Sequence, residues 1–181
     1  VKVLKEEENF LEIEAKPFER GYGVTLGNSL RRILLTSIPG AAITAIKVDG
    51  VQHEFTAIDG VKEDLTDIVL NLKEVRFKMI NEGPENISIS LQGPTKFTAK
   101  DIDKQLNDFK VLNKSHHIAE ITSDRKIDIE CRVSRGKGYS LAANNKRADD
   151  TIGTIPIDAI YNPIKSVSWN VEPIATSSEG H

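Results

Sequence analysis

Residues 18–35, FERGYGVTLGNSLRRILL, hold three glycines, Gly21, Gly23 and Gly27, ahead of the adjacent Arg31 and Arg32. Glycines before a cation and a helix can cradle a phosphate, because backbone N–H groups and the helix N-terminus favour an anion. The spacing here is G-x-G-x-x-x-G. A dinucleotide fingerprint needs its third glycine one position earlier, and a phosphate loop needs Gly-Lys-Ser/Thr. Gly27 is instead followed by Asn28 and Ser29. Both nucleotide readings fail on spacing, and the glycines read as tight backbone geometry between a strand and a helix.

Other chemistry is thinly supplied. His116 and His117 are neighbours, so on a strand they face opposite ways and cannot share a metal. His53, close to Phe55, reads as an ordinary partly buried strand residue. Cys131 alternates with Ile129 and Val133, which marks a small core residue. Asp101, Asp103, Asp149 and Asp150 lie in loop-like sequence and read as solvated. No metal-binding or nucleophile motif is present, so neither a catalytic residue nor a cofactor is expected.

The 181 residues are 39% hydrophobic and 28% charged, an ordinary globular balance, with net charge −3. A protein that coats DNA carries a basic excess, which is missing here. One cysteine excludes an intrachain disulfide and fits a reducing compartment, with a cytoplasmic setting expected. No apolar run nears the ~20 residues that span a bilayer, and no signal peptide leads the chain. The sequence starts at Val1 and closes from Ala175 to His181 in a small polar tail that reads as linker or tag remnant.

Alternation over residues 9–18 predicts a first strand, followed by a helix ending near Ser37 before Pro39 and Gly40. Asp49-Gly50 between residues 43–48 and 51–55 predicts a hairpin. A second helix is predicted from Gly60 to Lys73 with Asp59 as N-cap. Further strands are expected at 75–80, 87–91, 109–112, 117–121, 126–134 and 164–171, with 136–151 a loop. Helices do not alternate regularly with strands, so the class is α+β.

At 100° per residue, Leu26, Leu30, Ile33 and Leu34 form an apolar stripe that could dock on a sheet, while Leu35 falls between Arg31 and Arg32. A leucine flanked by arginines and near Asn28 reads as either a contact surface or a solvated basic face. The second helix has its own stripe (Val61, Leu65, Ile68, Val69, Leu72), with Leu70 apart on the polar side near Glu63. An extra leucine behind each stripe suggests burial on both sides.

ERGYG at 19–23, TLGNSLRRILL at 25–35, PGA at 39–41, VDGV at 48–51 and HEF at 53–55 closely resemble the N-terminal domain of the bacterial RNA polymerase alpha subunit family. GVKED at 60–64, LNLK at 70–73, RGKGY at 135–139 and YNP at 161–163 continue the resemblance in order. It implies a dimerisation subdomain from residues 1–39 and 164–181, an antiparallel sheet with a helix, and a mainly-β inserted subdomain at 40–163. It also implies a homodimer that forms the platform for the beta and beta′ subunits, which hold the magnesium active site. DNA is then met only indirectly, through the holoenzyme, and no membrane is involved. The dimer interface would be Leu26, Leu30, Ile33 and Leu34. Large-subunit contacts would be Asn28, Arg31, Arg32, Leu35, Asp64, Asn71, Lys73, Arg135 and Lys137. The chain stops short of the family's long dimer helix and its DNA-contacting domain, so weakened pairing and no promoter reading are expected of it. Two other readings stand beside this one: a nucleotide-binding protein using Gly21, Gly23 and Arg31, and a sheet-rich module that binds proteins outside transcription.

Overall fold

The computed structural model describes residues 1–175. The strands are β1 (Lys2–Glu7), β2 (Phe10–Glu14), β3 (Pro39–Val48), β4 (Phe77–Met79), β5 (Glu85–Gln92), β6 (Thr95–Thr98), β7 (Phe109–Val111), β8 (His117–Ile121), β9 (Lys126–Lys137), β10 (Tyr139–Ser140), β11 (Ile155–Pro156) and β12 (Ala159–Ile160). The helices are α1 (Tyr22–Thr36), α2 (Leu65–Lys73), α3 (Ala99–Asp103) and α4 (Ala142–Asn145). Every strand pair is antiparallel, and the class is α+β as expected.

The centre is a four-stranded sheet in the order β11-β3-β9-β5. One face of β9 carries Ile127, Ile129, Cys131 and Val133 into a core shared with Ile43, Ile46, Ile87, Ile89, Leu65, Ile68, Phe97 and Phe109. Period-2 patterning in β9 and 3.6-residue patterning in α2 put those apolar side chains on one side. No residue from position 1 to 39 is buried. The α1 helix and the β1–β2 hairpin therefore lie outside the core.

Several expectations are corrected. The Asp49-Gly50 turn forms, with Gly50 at φ 78°, but residues 51–55 do not return as a strand. Both edges of β3 are already taken, by β9 and β11. Nor is His53 a strand residue; it is exposed in a turn where its carbonyl accepts from Thr56 N at 3.3 Å. Helix α2 starts at Leu65, not Gly60, and its N-cap is Asp64, whose Oδ1 accepts from Asp67 N at 2.8 Å, not Asp59. Tertiary bonds claim the intervening residues: Val61 bridges Ile121, and Lys62 N donates to Glu120 O at 2.9 Å.

Residues 164–171 pair with no strand. They run beside α1, where Arg31 Nε donates to Val167 O at 3.2 Å. A Cβ on Gly27 would overlap the Trp169 ring, and one on Gly23 would lie 3.1 Å from Val171 Cγ2. Gly21, at φ 84°, is the helix N-cap. The glycines thus serve backbone geometry and close packing. The 136–151 segment is only partly loop, since β9 runs on to Lys137 and β10 and α4 follow. Asp101 and Asp103 belong to α3, where Asp101 closes a capping box with Thr98. The polar tail expected from Ala175 lies, after its first residue, outside the described residues.

Candidate protein-interaction surfaces

The first surface is α1. Its apolar stripe, expected to dock on a sheet, is only partly covered. Leu30 and Ile33 are exposed, at 42% and 51%, while Leu26 and Leu34 are half-buried. Leu35, expected among exposed arginines, is half-buried, and its carbonyl accepts from Asn162 Nδ2 at 2.6 Å. Asn28, Arg31 and Arg32 are exposed. Beyond α1, the hairpin exposes Val3, Leu4, Phe10, Leu11 and Ile13. A lone hairpin is marginal in water, isolated helices shorter than about 12–15 residues are marginal too, and most helical stability in proteins comes from packing an apolar face.

The second group does not gather into one site. Asp64 caps α2. Asn71 Nδ2 donates to Ile118 O, and His116 Nε2 bonds the Asn71 carbonyl, each at 2.8 Å. Both residues therefore tie α2 to its neighbours. Lys73 Nζ lies 3.6 Å from Asp158 Oδ2. Asp158 also accepts from Tyr139 OH and Ala142 N, each at 2.7 Å. Those two bonds, Tyr139 first, outweigh partial burial and hold the Asp158 carboxyl below its usual range. Arg135 and Lys137 sit exposed at the end of β9, beside Pro39 and the Glu82-Gly83 turn, around a concavity of about 400 Å³.

Sequence patterning missed the polar cluster under residues 139–158. Arg132 sits at a polar position of an alternating strand, with nothing to signal burial, yet its side chain is 6% exposed. Its Nη1 donates to Asp150 Oδ1 at 2.6 Å, its Nε to Thr44 Oγ1 at 3.2 Å, and its Nη2 to the Asn145 carbonyl. Asp150, expected to be solvated, is this ion pair's other half. Its burial is outweighed by the Arg147 N–H and the Arg132 guanidinium, and its carboxyl titrates below its usual range. Thr44 lies at the irregularity in β3 and contacts Ser134 Oγ at 3.0 Å. Elsewhere, His117 Nε2 meets Glu63 Oε1 at 2.7 Å, while Glu63 Oε2 accepts from Glu120 N. Cys131 is buried, and burial pushes its thiol up to about 12. Among the described residues no group of three or more His, Cys, Asp or Glu is placed to hold a metal. No described helix is long and apolar enough to cross a membrane.

These features define an antiparallel α+β domain with an uncovered helix and hairpin, and with polar side chains spent on structural ties. The chain belongs to the RNA polymerase Rpb3/RpoA insert domain family, whose model matches residues 46–162. It is 51% identical over 157 residues to the DNA-directed RNA polymerase subunit alpha of Salinibacter ruber, covering 87% of this chain and 48% of that protein. It is 53% identical over 158 residues to the protein of the same description from Prosthecochloris aestuarii, again covering 87% and 48%. The chain spans about half the length of the curated relatives it matches.

Proposed function

We propose that this chain is a non-catalytic assembly part of bacterial DNA-directed RNA polymerase. It homodimerises through Leu26, Leu30, Ile33 and Leu34 on α1 together with the β1–β2 hairpin. It presents Asn28, Arg31, Arg32, Leu35, Asp64, Asn71, Lys73, Arg135 and Lys137 to the beta and beta′ subunits, and Asp64 and Asn71 also cap and tie α2. The observation that carries this reading is the absence of any buried residue from position 1 to 39. A 15-residue helix and a hairpin lacking a core of their own need another polypeptide to cover them. The similarity to proteins named as alpha subunits supplies the identity of the complex. In this role the chain works in the bacterial cytoplasm, at the nucleoid, and meets DNA only through the assembled enzyme.

Arg32 is exposed and accepts no structural duty from its side chain among the described residues. Arg32→Ala therefore leaves the melting temperature unchanged and removes co-purification of the beta and beta′ subunits. Equal recovery of both large subunits by mutant and parent would refute the assignment of Arg32.

A further inference from the structure

The C-terminal end of β9 is an open strand edge. Its ladder with β5 ends at Val133, opposite Glu85, whereas its ladder with β3 continues to Lys137, opposite Pro39. Residues 134–137 thus have a strand neighbour on one side only. No hydrogen bond among the described residues fills the other side, since the Glu82-Gly83 turn lines the concavity without bonding across it. An unpaired edge is a ready template for another extended segment.

On this edge Arg135 and Lys137 are exposed, and Gly136 between them is half-buried. Gly138, at φ 63°, ends the strand, and the exposed Tyr139 lies beyond it in β10. Gly136 lies so close under the Tyr161 ring that a Cβ there would overlap it. The ribbon is also held in place: Tyr139 OH donates to Asp158 at 2.7 Å, and Tyr139 pairs with Ile160. Neither Arg135 nor Lys137 takes part in an ion pair among the described residues. Glu82, the carboxylate that also lines the concavity, is exposed.

We infer that an extended segment bearing carboxylates adds as a strand to the open edge of β9 at residues 134–137, with its acidic side chains on Arg135 and Lys137. The inference rests on the assembly reading, and the segment belongs to one of the large subunits. Charge complementarity selects acidic residues, and the unpaired N–H and C=O groups select a polypeptide. A phosphate backbone would offer acceptors to the N–H groups but no donors to the carbonyls.

The test follows amide hydrogen exchange across residues 134–141 in the chain alone and reconstituted with the beta and beta′ subunits. Exchange at 134–137 slows on assembly. R135E/K137E weakens association about tenfold or more, R135K/K137R retains it, and the parent's association falls as salt rises. Both positions are exposed, and the melting temperature of each variant confirms folding; R135Q/K137Q replaces any reversal that does not fold. A parent that assembles with unchanged exchange at 134–137, or a charge-reversed variant that assembles as well as the parent, overturns the inference and leaves the assembly reading intact. The same amides slowed by duplex DNA without the large subunits would also overturn it. A parent that does not assemble at all overturns both.

Discussion

Arg132 is the residue on which the 139–158 excursion depends. No residue from 139 to 154 is buried, so apolar packing does not hold this segment down. Polar ties do: Arg132 to Asp150 and Asn145, Asn145 Nδ2 to Ile157 O at 2.8 Å, and Asp158 to Ala142 N. Removing one half of a buried pair leaves the other charge uncompensated, a larger loss than the pair's net contribution. Arg132→Met should therefore cost about 3–5 kcal/mol in chemical denaturation, with exchange protection lost at residues 141–154 first. The pair also sets a pH dependence. Asp150's carboxyl is held below its ordinary 3.8, so its stabilisation is complete above that value and is lost as pH falls through the lower, folded one. The parent should lose more stability on acidification than Arg132→Met, which has already lost the pair. Parallel pH profiles for the two proteins would contradict this assignment.

Elements differ in how far their sequence foretells them. Where burial on one face imposes a period, as in β9 or the Leu65, Ile68 and Leu72 stripe of α2, the pattern places the element. The pattern is silent where partners decide. The 51–55 run has β propensity, but β3 has no free edge to offer it. Residues 60–64 have helical signals, but β8 claims their backbone and the Glu63 carboxylate. Four of the six residues in β1, KVLKEE, are charged, and such a strand gives no amphipathic signal. Of the candidate site residues, those on α1 were legible as a surface because arginines break its second face. Asp64, exposed, and Asn71, half-buried, read as surface residues in sequence, and the structure adds that one caps α2 and the other bonds to β8. The 164–171 segment alternates as a strand would, yet its Trp169 and Val171 side chains rest on Gly27 and Gly23 of α1. That contact is testable, because Trp169 is the protein's single tryptophan. Gly27→Ala raises intrinsic helix propensity by about 1 kcal/mol but displaces the indole. The expected result is a red-shifted Trp169 emission with undiminished helix content. An unshifted spectrum would mean that the ring does not lie on Gly27.

At the scale of the whole molecule, a well-packed body carries a first segment that lies outside its core. The core draws on residues 41–161, while 1–39 contribute a helix and a hairpin with no buried residue. The 164–171 strap covers part of α1 on its glycine face, Asn162 bonds the Leu35 carbonyl at its end, and Leu30 and Ile33 remain exposed. If a second copy supplies the missing cover, folding of α1 and association are linked by mass action. Exchange protection of residues 22–36 should then rise with protein concentration, while protection of residues 127–133 in β9 stays constant. Sedimentation equilibrium should show a monomer–dimer transition over the same range. Leu30→Asp with Ile33→Asp should hold the chain monomeric, with α1 amides exchanging freely and the β9 core unaffected, because neither side chain contributes to that core. A monomer whose α1 amides are equally protected at every concentration would mean that the helix is stable by itself, and the argument for a second copy on this face would fail.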